Sequence, residues 1–103
     1  MTEIDAQSLA NQLSQPNPPL VIDVRQPQET QLEGMIDGAV LIPMDQLPAR
    51  LSEVPMGRAV VAVCKSGMRS ANSANWLRAQ GRDVVSLQGG MIQWKALGLP
   101  VKK

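Results

Sequence analysis

The chain of 103 residues contains no histidine and no tyrosine, and only one cysteine, Cys64. Without histidine, Ser-His-Asp and Cys-His nucleophilic catalysis are both excluded. One thiol cannot form an internal disulfide or a Cys-x-x-Cys redox pair, which fits a reducing compartment. A zinc site would have to be assembled from carboxylates standing in for its usual ligands. Aromatic residues are nearly absent as well. Two tryptophans are the whole set, too few for a platform on which bases could stack. Neither sign of charge dominates, with 10 basic against 9 acidic residues, so there is no strong pull toward nucleic acid or an anionic membrane. Long apolar runs are also missing. The longest extends only from Ala59 to Cys64, far short of the ~20 residues that span a bilayer. The amino terminus carries Glu3 and Asp5 where a signal peptide would be basic. A cytoplasmic protein with one domain over residues 1–103 is expected, binding neither nucleic acid nor membrane.

What is present alternates strand and helix. Ala59–Val63 is small and β-branched, as in a strand buried on both faces of a parallel sheet. Further strands are expected at Thr2–Ile4, Leu20–Arg25, Gly38–Pro43 and Asp83–Leu87. Asp5 caps a helix bearing Ala6, Leu9, Ala10 and Leu13, stopped by the Pro16–Pro19 stretch. A short helix lies between Gln26 and Glu33, and Asp45 caps another carrying Leu47 and Leu51. A helix over Ser70–Gln80, capped by Ser70, ends at Gly81. Gly89-Gly90 opens a last one with Met91, Trp94 and Leu97. This order defines an α/β fold with a mainly parallel sheet.

The segment between the central strand and its helix is Cys64-Lys65-Ser66-Gly67-Met68-Arg69-Ser70. It falls at the carboxyl edge of the sheet, where open α/β folds bind ligands. Cysteine is nucleophilic as thiolate, and inward-pointing loop amides, the helix dipole and the charges of Lys65 and Arg69 all favour that form. Gly67 supplies the positive φ that such a wrap requires. A lone cysteine is more often a small buried hydrophobe than a nucleophile, and Lys65 and Arg69 taken singly are surface charges. Grouped around a thiol at a helix start, they point to an anionic ligand.

The loop CKSGMRS resembles the active-site loop of the rhodanese family of sulfurtransferases. Val21–Glu29 (VIDVRQPQE) resembles that family's strand end followed by a glutamate. Gly38–Pro43 resembles its next strand, the helix from Ser70 to Gly81 matches, and Leu87–Val101 (LQGGMIQWKALGLPV) resembles its closing segment. The resemblance implies a rhodanese-like α/β fold, a five-stranded sheet with helices on both faces. It implies that Cys64 is catalytic and takes the outer sulfur of thiosulfate as a persulfide. Lys65, Ser66, Gly67, Met68, Arg69 and Ser70 would bind the substrate, and no cofactor or metal is needed. The acceptor would be cyanide, a small thiol, or a protein thiol such as a thioredoxin-like partner. Mercaptopyruvate-using relatives tend to lack the two loop cations, so Lys65 and Arg69 favour thiosulfate. Related phosphatases have a loop one residue longer, which disfavours a phosphatase or arsenate reductase. Degenerate binding modules commonly lose the cysteine, which disfavours a non-catalytic role. A sulfur carrier in a protein relay is the neighbouring alternative.

Asp23, Arg25 and Glu29 are expected to brace the loop from behind, and Met68 to lie exposed beside the sulfur. The sequence departs from the family pattern at Met35 and Asp37, at Thr30 and Arg82, where aromatics are usual, and in a longer spacer from Glu29 to Gly34. These departures are expected to alter the pocket wall and the partner surface.

Overall fold

Successive apolar residues of Ala59–Val63 face opposite sides of the sheet, and this strand sits at the centre of the computed structural model. The structure describes residues 2–103. In chain order the elements are β1 (Glu3–Ile4), α1 (Ala6–Leu13), β2 (Leu20–Asp23), α2 (Pro27–Glu33), β3 (Val40–Leu41), β4 (Ala59–Val63), α3 (Met68–Ala79), β5 (Asp83–Leu87) and α4 (Gly90–Ala96). The sheet runs β1-β5-β4-β2-β3, and every pairing in it is parallel. This is the expected α/β architecture.

The alternation of β4 divides the interior in two. Val60, Ala62 and Cys64 join Ile22, Val24, Leu77 and Val84 beneath α3. Val61 and Val63 join Leu9, Leu87, Met91 and Trp94 beneath α1 and α4. Cys64 therefore continues the α3-facing register of its strand, which aims its side chain at the start of that helix. Trp94 is buried as expected, its indole N–H donating to Pro100 O at 2.9 Å.

Asp5 caps α1, accepting from the Ser8 amide at 2.7 Å. Four expectations need correction. The strand expected to reach Arg25 ends at Asp23, and Gly38–Pro43 narrows to Val40–Leu41. Asp45 does not cap a helix. It lies inside a 3-10 turn, Met44–Gln46, and a second such turn, Leu51–Glu53, follows. Pro48 removes a backbone donor between the two turns, and Pro43 and Pro55 bound the stretch, so the chain forms short turns here instead of one continuous helix. Arg82 ties the second turn to the connection between α3 and β5, donating to Val54 O and Leu51 O at 3.1 and 3.2 Å. Ser70 is not an N-cap either. Helix α3 starts at Met68, preceded by Gly67 at φ 104°. Among the described residues, no helix is long and apolar enough to cross a membrane.

Candidate active site

The thiol of Cys64 is buried at the amino-terminal end of α3. The Gly67 amide donates to Sγ at 3.1 Å and the Ser70 amide at 3.3 Å. Ser70 Oγ lies 3.3 Å from Sγ and 2.7 Å from Ser86 Oγ, and its distance to Gly67 O is 3.2 Å. Two amides thus converge on one sulfur at the positive end of a helix, an arrangement that stabilises negative charge on it, while the Ser70 hydroxyl accepts from the thiol. The wrap depends on Gly67, whose positive φ would strain any other residue.

The outer side of the loop is fixed by α4. The Met91 and Ile92 amides donate to Cys64 O and Lys65 O at 2.9 and 3.0 Å. Drawing these carbonyls toward α4 leaves the neighbouring amides free to face the sulfur. Gly90 permits the approach, because a Cβ there would stand 2.4 Å from Lys65 O and 2.5 Å from Cys64 O. Ser66 and Met68 are exposed, Met68 strongly, on the open side of the loop.

The two loop cations face acids from α2. Arg69 makes a two-pronged pair with Glu29, Nη1 to Oε2 and Nη2 to Oε1, both at 2.8 Å. These bonds are the main cause holding the Glu29 carboxyl down at about 2. Partial burial works against them, and the Gln26 amide, donating at 2.8 Å, adds to the lowering. The same pair pushes the Arg69 guanidinium up, and attraction to Cys64 and Asp23 acts in that direction too. Lys65 Nζ is 3.7 Å from Glu33 Oε1 in a looser, more exposed pair.

Asp23, Arg25 and Glu29 do not form one brace. Arg25 is fully buried and bonded through Nε and Nη2 to the Asp23 carboxylate, the shortest contact being 2.7 Å. Nη2 also donates to Gly34 O at 2.8 Å, fastening the end of α2 to the end of β2, whereas Nη1 has no partner among the described residues. Glu29 belongs to the rim with Arg69. Met35 and Asp37, which depart from the family pattern, bond the carboxyl-terminal segment through Lys102.

Three contributors were not singled out from the sequence. Ser86 was hidden in a strand, although a lone serine on the same face as the buried Val84 was the available signal. Gly90 reads as a helix opener, and its contact with the loop carbonyls has no local signature. Glu33 carries no signal beyond its charge.

A thiol held by amides at the carboxyl edge of a parallel α/β sheet defines a class of nucleophilic or sulfur-handling domains. The match to the Rhodanese-like domain over residues 5–97 makes the assignment specific: this chain belongs to the rhodanese family. It is 41% identical over 102 residues to a "Sulfurtransferase" of Allochromatium vinosum, covering 98% of this chain and 94% of that one. It is 36% identical over 75 residues to the "Thiosulfate sulfurtransferase GlpE" of Shewanella oneidensis, covering 72% and 73% of the two chains. A crystal structure of a rhodanese-like domain protein from Staphylococcus aureus superposes with a TM-score of 0.90 at 38% identity, covering all of both chains.

Proposed function

We propose that this protein is an enzyme, a cytoplasmic thiosulfate sulfurtransferase working through a persulfide on Cys64. Rhodanese-type sulfur transfer in general is supported by the named sulfurtransferase relatives. The observation that carries the finer reading is the convergence of the Gly67 and Ser70 amides on Sγ. In the first half-reaction the Cys64 thiolate attacks the outer sulfur of thiosulfate. A new S–S bond forms to Sγ, the S–S bond of thiosulfate breaks, and its electron pair leaves with sulfite. The enzyme keeps the single negative charge on the terminal sulfur of the persulfide. In the second half-reaction cyanide, or the thiolate of a small or protein thiol, attacks that terminal sulfur. The Cys64 thiolate departs, and thiocyanate or a new persulfide is released. No proton need be moved by a histidine, because attacking and leaving groups are anions. The loop amides stabilise the anion at each stage. Lys65 and Arg69 orient the donor, Ser66 and Met68 border the opening, and Asp23 with Arg25 supports the site by fastening β2 to α2, the helix that carries Glu29 and Glu33.

Exposed Met68, beside Arg69 on the first turn of α3, favours a second reading in which the acceptor is a thiol on a protein partner such as a thioredoxin-like domain. Intact mass after incubation with thiosulfate tests the proposal. The wild type is expected to gain one sulfur atom and, on adding cyanide, to lose it as thiocyanate. Cys64→Ser is expected to do neither. An unmodified wild type would defeat the proposal, and thiocyanate from the serine variant at the wild-type rate would remove Cys64 as the carrier.

A further inference from the structure

The cations that mark this loop as an anion site are opposed one for one. Lys65 and Arg69 stand four residues apart on the loop, and Glu29 and Glu33 stand four apart on α2, hence on one helical face. The two oppositions are unequal. Lys65 is half exposed and 3.7 Å from Glu33, so little holds it. Arg69 is gripped by two 2.8 Å bonds, and Glu29 is itself held in place by the Gln26 amide at 2.8 Å and the geometry of a capping box.

We propose that Glu29 is a specificity-determining residue that lowers the affinity of the site for small dianions by occupying and neutralising Arg69. The inference rests on the sulfurtransferase reading of the same site. Arg69 has five N–H donors, of which Glu29 takes two. The remaining donors can still meet a substrate oxygen, but the charge that would draw a dianion is already cancelled. The anion is then held chiefly by the loop amides and the loosely paired Lys65, and the mouth presents a nearly neutral surface. Such a surface penalises thiosulfate more than a singly charged or neutral sulfur compound. If Glu29 instead served to aim Arg69 at the donor, its removal would weaken binding, so the two roles predict opposite signs.

Thiosulfate binding is best measured by calorimetry on Cys64→Ser protein, which cannot react, with and without Glu29→Gln. Glutamine keeps the length of the side chain and an oxygen for the Gln26 amide. The added substitution is expected to tighten thiosulfate about three- to tenfold at low ionic strength, the gap shrinking as salt is added. Glu33→Gln is expected to do less. The double variant Glu29→Gln/Arg69→Gln should lose this gain and bind no more tightly than the parent, since the charge that Glu29 masks is then gone. Unchanged or weaker binding with Glu29→Gln would overturn the proposal, as would a double variant that keeps the gain. These Kd values can be read whether or not the wild type transfers sulfur. A wild type that gains no sulfur mass defeats the proposed function, whereas the wrong sign in Kd defeats only the role of Glu29.

Discussion

Two carboxylate–guanidinium pairs stand near the thiol, and they contrast in every respect but chemistry. Asp23 and Arg25 are two residues apart in sequence and wholly buried, and they connect β2 to the end of α2. Glu29 and Arg69 are 40 residues apart, partly open to solvent, and set at the mouth. A buried pair stabilises by its completeness, since removing one partner strands the other charge in a medium that cannot solvate it. A rim pair adds little to folding and leaves its charges within reach of a ligand. The same two groups therefore serve as a fastener in one place and as a control on charge in the other.

Removing the fastener gives the largest expected effect. Arg25→Ala should cost about 3–5 kcal/mol, because Asp23 is left buried and unpaired. Denaturant unfolding would register it, and an unchanged midpoint with lost turnover would mean that Arg25 belongs to the site. Next comes Gly90→Ala, which sharpens the contrast by disturbing the loop without touching either pair. With a positive φ at residue 90 and a Cβ placed against two loop carbonyls, a loss of about 1–3 kcal/mol is expected, accompanied by reduced sulfur loading in intact mass. Normal loading at normal stability would show that α4 does not shape the loop.

The smallest effect is that of acid on the rim pair. Folding holds the Glu29 carboxyl below its ordinary 4.5, at about 2. A lowered carboxylate contributes stability that is fully present above 4.5 and is lost as pH falls from there through about 2. Comparing wild type with Glu29→Gln across that range should show the wild type losing a small advantage, below about 1 kcal/mol. Stability curves that run parallel throughout would mean that the pair contributes nothing to folding.

The sequence makes some of this legible and hides the rest for physical reasons. The runs at Ala59–Val63 and Asp83–Leu87, the cap at Asp5 and the glycine that opens α3 each act through near neighbours, so local pattern reveals them. The stretch from Met44 to Glu53 misleads because the spacing of Leu47 and Leu51 suggests a helix while Pro48 between them favours two short turns. Ser70 reads as a cap because serine at a helix start usually is one. Its hydroxyl is instead engaged with Cys64 and with Ser86 on a neighbouring strand. Glu29 reads as part of a brace because it follows Arg25 closely, whereas its partner lies on α3 and becomes visible only after the chain has crossed the sheet.

The hydrogen bonds from Met91 and Ile92 to the backbone of Cys64 and Lys65 also bear on the order in which the molecule matures. As the polypeptide is synthesised, the thiol emerges well before the helix that shapes its surroundings. Until residues 91 and 92 have left the ribosome, the loop lacks two of its anchors. The nucleophile thus acquires its finished setting only when nearly all of the fold is available to hold it.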